Sequence, residues 1–235
     1  MERLKMASAP DALETLTPVG RSDTLAQKVR TQLKEAVMAG RFAPGEKLTI
    51  RSVAGALHVS LTPAREALYN LASEGVLEMR PNGSVYVPEL TVARIVELTK
   101  IRVALESLAA REAVTQISDA GIAEIAALNN AMIERNESKD YSALIAINWK
   151  FHFTLYRASQ MDHLVRLIEG CWLMTGSSLN VIYPKFGEVS EGISNHVQIV
   201  RALERRDADR VALAITTDIN LASDALICAV QHSGD

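Results

Sequence analysis

Apolar residues return at every fourth position from Leu25 through Val29 and Leu33 to Val37. That spacing places them on one side of a helix and predicts a first element with a single buried stripe. Ser22 or Asp23 stands where a cap is needed, Gly40 where the helix must stop, and Pro44-Gly45 where the chain turns. A short second helix follows from Thr49, with Val53, Ala54 and Leu57 inside. A third begins at Ser60 or Thr62; Pro63 is tolerated in its first turn because that amide has no helical partner. On this third helix Ala64, Ala67, Leu68 and Leu71 share one face, and Leu61, Arg65 and Tyr69 the other. After Gly75 the period changes to two. Val76 to Met79 and Val85 to Val87 alternate as strands around Asn82-Gly83, a two-residue hairpin signal.

From Pro88-Glu89 the helical period takes over almost to the end. Six helices are predicted, over roughly 91–117, 119–136, 140–158, 161–182, 188–205 and 207–230, interrupted by Pro184 and a few glycines. The expected fold is mainly α: a winged helix-turn-helix over residues 21–88, then an antiparallel all-α bundle over 89–235. Residues 1–20 mix Pro, Ser, Asp and Glu without an apolar stretch, so a flexible tail is expected there rather than a secretory signal. No run of 18 apolar residues occurs, and no membrane partner is expected.

Charge adds to this picture. The formal net charge is −3, but residues 21–88 carry nine Lys/Arg against six Asp/Glu, while 89–235 carry fourteen against nineteen. A mildly basic first part suits contact with DNA phosphates; the acidic remainder does not. Two cysteines, Cys171 and Cys228, are too few for a disulfide framework and fit a reducing, cytoplasmic setting. Arg65, on the outer N-terminal part of the third helix, is the candidate base reader. An arginine paired with guanine O6 and N7 contributes roughly 1–3 kcal/mol of discrimination. The plain alternative is a surface arginine paired with Glu66 or Glu35.

In the second region four polar residues stand out. Asn148 and His152 are four apart and share a helix face; His196 and Asp218 lie on later helices. Their neighbours Ile145, Phe151, Leu155, Ile199, Val200, Ala214 and Leu221 are apolar, a setting in which polar side chains need partners. Convergence of these groups would make a divalent-metal site, with imidazole suited to Zn, Ni or Fe. The alternatives are a satisfied core histidine at 152 and a surface carboxylate at 218. Trp149, Trp172 and Tyr183 are either pocket walls or core.

The residues Gly40, Pro44-Gly45, Leu48, Arg51, Val53-Ala54, Val59-Ser60, Thr62-Pro63, Arg65-Glu66-Ala67-Leu68, Leu71, Glu74-Gly75 and Gly83 together resemble the GntR family of bacterial transcription regulators. The resemblance implies that Arg51, Ser60, Thr62, Arg65, Asn82 and Gly83 contact operator DNA. The family usually has Arg where this chain has Leu61, so an altered half-site preference is expected, with apolar contact to a thymine methyl. The second region resembles the FCD ligand-binding domain of the FadR-type subfamily through Arg102 with Glu106, Phe151-His152, and His196, Ile199, Ala202-Leu203, Asp207 and Ala212. That domain often binds a metal through Asp and three His, and the metal anchors a carboxylate effector. Here the resemblance implies the ligand set Asn148, His152, His196 and Asp218. Arg102, Asn148, His152 and His196 are then the effector contacts. Arg102 is either a carboxylate clamp or one half of an i, i+4 pair with Glu106.

The expected protein is therefore a one-component transcription regulator, a repressor by family habit, with a small organic acid as effector. A homodimer is expected, because one short reader helix needs a partner and two-fold proteins match palindromic sites. Three rivals remain open at this point: a sensor in which metal is itself the signal, a metal-dependent enzyme, and a purely architectural DNA binder that would leave the polar cluster without a role. No nucleophile or general base at recognisable spacing supports the enzyme.

Overall fold

The first helix, α1 (Leu25–Met38), buries Ala26, Val29, Leu33 and Val37. Leu25 does not join that stripe: it is 51% exposed in the first turn, and Ala26, one residue on, takes the inward place. Thr24 caps the helix by accepting from the Gln27 amide. The structure, a computed structural model, describes residues 24–183 and 191–232, so the expected Ser22 or Asp23 cap and the expected tail over residues 1–20 lie outside it. Helices α2 (Ile50–Ala56) and α3 (Leu61–Ser73) follow; Thr49 and Ser52 close a reciprocal capping box at the start of α2. Ala64, Ala67, Leu68 and Leu71 of α3 are fully buried, as their shared face predicts.

The sheet differs from the expected hairpin in two ways. First, it has three strands, β1 (Lys47–Leu48), β2 (Glu78–Met79) and β3 (Val85–Tyr86), in the antiparallel order β1-β3-β2. Val76 and Leu77 are buried but do not pair as strand, because their amides bond back to the Leu71 carbonyl at the end of α3. Secondly, the wing turn is not a two-residue loop. Arg80 N–H donates to Ser84 at 2.9 Å, Gly83 N–H donates to Arg80 at 2.8 Å, and of the loop residues only Gly83 has positive φ, at 75°. A two-residue type I′ turn needs positive φ at Asn82 as well. Pro81 sets the ordinary turn instead, and the Asn82 side chain closes it by accepting from the Ser84 amide.

Beyond residue 90 the described residues are mostly helical, and the elements follow the expected ones within a few residues; the expected break at Pro184 and the start of the expected 188–205 helix lie outside the described residues. The elements are α4 (Val92–Gln116), α5 (Asp119–Glu137), α6 (Tyr141–Ala158), α7 (Asp162–Thr175), α8 (Leu179–Ile182), α9 (Glu191–Glu204) and α10 (Ala208–His232). Thr91, Ser118 and Asp140 cap α4, α5 and α6 with side-chain oxygens. The expected 161–182 helix is broken by a tight turn at Gly176–Ser178. There the Gly176 backbone lies against α1: a Cβ at that position would stand 2.9 Å from the Val37 carbonyl oxygen.

The long helices α4 and α10 make the most extensive pairing in the bundle. Its core centres on Phe151, Phe153, Leu155, Ile168, Trp172 and Ile199. Helix α10 is long and apolar enough to span a bilayer, as core helices also can be, and it packs on α4 with Val211, Ile215 and Ile219 buried. The reader has its own core, and Leu173 of α7 is buried within it.

Candidate DNA-reading face and metal centre

The outer face of α3 carries Leu61, 47% exposed, with Arg65 and Tyr69 on the following turns. A shallow cleft of about 470 Å³ runs between this face, the start of α2 and the wing, lined by Lys47, Arg51, Leu61, Arg65 and Gly83 among others. Arg51 and Arg65 form no ion pair with any described residue, so the Glu66 and Glu35 partners considered for Arg65 are not taken up. Ser60 begins α3 without a side-chain cap bond, and both Ser60 and Thr62 are exposed. The Asn82 side chain is used inside the wing turn, whereas Gly83 lines the cleft. Two cations went unmarked in the sequence: Lys47, and Arg80, whose guanidinium lies 3.8 Å over the Tyr86 ring. Lys47 reaches Tyr86 through the pairing of β1 with β3, and Arg80 through the hairpin of β2 and β3.

In the bundle, α6, α9 and α10 bring His152, His196 and Asp218 together, with one ligand atom from each within 4.8 Å of the others. His152 and His196 are 1% and 5% exposed. Asp218 Oδ2 lies 3.3 Å from His152 Nε2, and Oδ1 lies 3.2 Å from His196 Nε2. Despite that proximity, neither ring nitrogen of His196 is aligned for a hydrogen bond. Asn195 donates to the Ala214 carbonyl at 2.8 Å and reaches Asp218 Oδ1 at 3.4 Å. It positions the carboxylate and was not singled out from the sequence. Asn148 sits one turn before His152, half-buried, with no side-chain hydrogen bond to a described residue.

Behind His152 runs a buried chain of polar groups. Tyr156 donates to Glu106 Oε2 at 2.6 Å, and its oxygen is 3.2 Å from His152 Nδ1. Burial, reinforced by Glu106, pushes the Tyr156 phenol well above its ordinary range, so it keeps its proton. With that one proton given to Glu106, the oxygen accepts from His152 Nδ1–H. Burial also pushes the His152 pKa down against the pull of Asp218, which favours the neutral ring. His152 Nε2 faces a carboxylate oxygen of Asp218. Burial works against ionisation of Asp218, but the imidazoles of His196 and His152 outweigh it and hold the carboxyl well below its usual range. Two imidazoles and one carboxylate thus converge, and one of the imidazoles has no hydrogen bond. A divalent cation fits that donor set, and neutral imidazole with carboxylate is ordinary metal-ligand chemistry.

Arg102 lies at the far end of the chain. Its Nε donates to Glu106 Oε1 at 2.6 Å and its Nη2 is 3.4 Å from Oε2, while Glu106 is fully buried. Burial opposes the Arg102 charge and Glu106 more than restores it, raising the pKa. The guanidinium also lies 4.8 Å over the Trp172 ring. Of the two readings of Arg102, the i, i+4 pair is the geometry present, although as a buried pair rather than a solvated one.

A winged-helix reader joined to an all-helical bundle defines a DNA-binding transcription regulator. The chain belongs to the GntR family: the model of the bacterial regulatory proteins, gntR family, matches residues 25–87, and that of the FCD domain matches residues 97–221. It is 30% identical over 188 residues to the HTH-type transcriptional regulator McbR of Escherichia coli K12, covering 79% of this chain and 85% of McbR. The solved structure of E. coli McbR/YncC superposes with a TM-score of 0.80 at 27% identity, over 89% of this chain and 99% of that one. A probable D-xylose utilization operon transcriptional repressor of Paenarthrobacter nicotinovorans is 30% identical, with 89% and 90% of the two chains covered. The family and these relatives are transcription regulators, not enzymes.

Proposed function

We propose that the protein is a homodimeric, cytoplasmic repressor that leaves its operator when a small carboxylic acid binds at a divalent-metal centre formed by His152, His196 and Asp218. The observation that carries this reading is the convergence of His152, His196 and Asp218, whose ligand atoms lie within 4.8 Å of one another. A bound Zn, Ni or similar ion supplies a Lewis-acid anchor for the effector carboxylate. The chain's own residues do the rest. Tyr156 and Glu106 hold the His152 ring in the ligating tautomer. Asn148, one turn away, offers an amide to the effector. Trp172 Nε1, buried without a partner beneath Arg102, offers a second donor.

At the other end Arg65 reads a base edge, with Arg51, Ser60, Thr62 and the wing at Asn82-Gly83 on the backbone. Leu61 replaces a donor with an apolar contact. Two chains present two such faces to a palindromic site. The effector shifts operator affinity only through its different affinity for the two arrangements of the readers.

A thermal-shift screen of small carboxylic acids, run on zinc-loaded and metal-stripped protein, tests the effector site. A ligand that binds only the folded form raises the melting temperature by mass action. The expected result is an acid whose shift vanishes on stripping. Zinc that stabilises and changes operator affinity with no acid present would make the metal itself the signal.

A further inference from the structure

Between α9 and the start of α10 lies a cleft of about 370 Å³, and three arginines line it: Arg201, Arg205 and Arg210. Arg201 is in the last turn of α9 and Arg205 just beyond it, where the helix dipole favours cations. Arg210 is in the first turn of α10, where the dipole disfavours them. Asp207 offsets that one charge: it accepts from the Arg210 amide at 3.1 Å, and its other oxygen faces Arg210 Nε at 3.1 Å. Arg201 and Arg205 form no ion pair with any described residue.

The wall is one-sided in charge. Among the described residues no carboxylate lines it, and Asp209 of the same turn is paired with Arg111 of α4 instead. Asn195, Gln198 and Thr217 also line the cleft. Their amides and hydroxyl both donate and accept, so they fit either kind of ligand atom and do not set its sign. A guanidinium has five donors and no acceptor, and it does. Against three such charges Asp207 supplies one, which leaves two unmatched. Beside them Leu213 is 66% exposed, the most exposed large apolar side chain described. The cleft is not part of the reading face: Arg111, at its side of the bundle, lies roughly 28 Å along α4 from Val92, where the reader is joined.

A phosphate monoester brings close to two negative charges and three acceptor oxygens, which suit forked donors. A carboxylate brings only one charge. An apolar substituent on the ester covers Leu213, and the volume is that of a small-ligand site. We propose that this cleft binds the phosphate monoester of a small apolar alcohol or phenol, at a site separate from the His152, His196 and Asp218 centre. Arg201, Arg205 and Arg210 hold the phosphate, and the substituent lies on Leu213. Asn195 lines the cleft and also reaches Asp218 Oδ1 at 3.4 Å, so an occupant has one side chain in common with the metal centre. Its effect on that centre rests on the regulator reading; its binding does not.

The test is isothermal titration calorimetry on the metal-stripped full chain, with phenyl phosphate as the probe, so that no ion at the His152 centre can hold the phosphate. Saturable binding of one equivalent per chain is expected. Replacing Arg201→Gln and Arg205→Gln together is expected to weaken it at least about tenfold. Both positions are exposed, and an unchanged melting temperature is the control for folding. Leu213→Ser is expected to weaken phenyl phosphate about fivefold and to leave inorganic phosphate as it was. Phenyl phosphate that does not bind overturns the proposal. So does a double variant that binds as tightly as wild type, or inorganic phosphate that binds wild type as tightly as the ester does. Asp218→Asn is expected to bind like wild type. Binding lost in that variant would put the phosphate at the metal centre and overturn the separate site, so failure here and failure of the effector reading are told apart.

Discussion

The Nε2 atom of His152 and the Oδ2 atom of Asp218 lie 3.3 Å apart, while Tyr156 meets Nδ1 on the other side of the ring. His196 and His152 hold the Asp218 carboxyl well below its usual range, so the ionised side chain stabilises the fold at neutral pH. In metal-free protein Asp218→Asn is therefore expected to melt below wild type. With zinc at about a hundred times its dissociation constant, wild type gains about 2.7 kcal/mol. For a chain of this size that is a rise on the order of 5–10 °C, and the variant gains none of it. Differential scanning fluorimetry of the four samples checks this. Equal zinc shifts in both proteins would contradict it.

Tyr156→Phe removes the group that fixes the His152 tautomer and leaves Glu106 short of a donor. Zinc affinity is expected to fall about 10- to 100-fold, and stability to fall by about 1–3 kcal/mol. Competition with a chromogenic chelator reads the first and urea denaturation the second. Unchanged zinc affinity with reduced stability would make Tyr156 a core residue only.

Arg102→Ala strands a fully buried Glu106 carboxylate. The expected loss is about 3–5 kcal/mol, far more than the 0.3–0.5 kcal/mol of an exposed helix pair. Combining Arg102→Met with Glu106→Leu removes both charges and is expected to recover part of that loss, less whatever the Tyr156 bond contributed. A loss under about 1 kcal/mol for the single variant would show that the pair is effectively solvated.

Arg65→Ala is expected to leave the melting temperature unchanged, since the side chain is exposed and unpaired. Specific operator affinity falls by about 1–3 kcal/mol, and the preference at one base position relaxes. Leu61→Arg, next to it on the reading face, is expected to move the selected half-site toward guanine. Binding-site selection with wild type and both variants measures this. Identical selected sequences for wild type and Leu61→Arg would place Leu61 off the bases.

Much of this was legible in the sequence. Ala64, Ala67, Leu68 and Leu71 repeat at helical spacing, and a helix shows that spacing whatever it packs against. The His152, His196 and Asp218 convergence was readable because polar residues on apolar helices need each other. What stayed hidden depends on tertiary contact. A two-residue strand such as Lys47–Leu48 has no period to detect. The wing turn followed Pro81, whose fixed φ outranked the Asn82-Gly83 signal. Glu106 looked like a solvated helix residue until α6 placed Tyr156 against it. Tyr156 itself extends the Asn148, His152 spacing by one more turn, and that signal was there to be found.

Fluorescence anisotropy of an operator duplex, titrated with zinc-loaded wild type and zinc-treated Asp218→Asn, puts the link between the two halves of the molecule to the test. An acid identified by its zinc-dependent thermal shift should weaken DNA binding by wild type and leave the variant's unchanged. If the acid weakens both proteins alike, or binds wild type and leaves its operator affinity untouched, the metal centre does not control the reader.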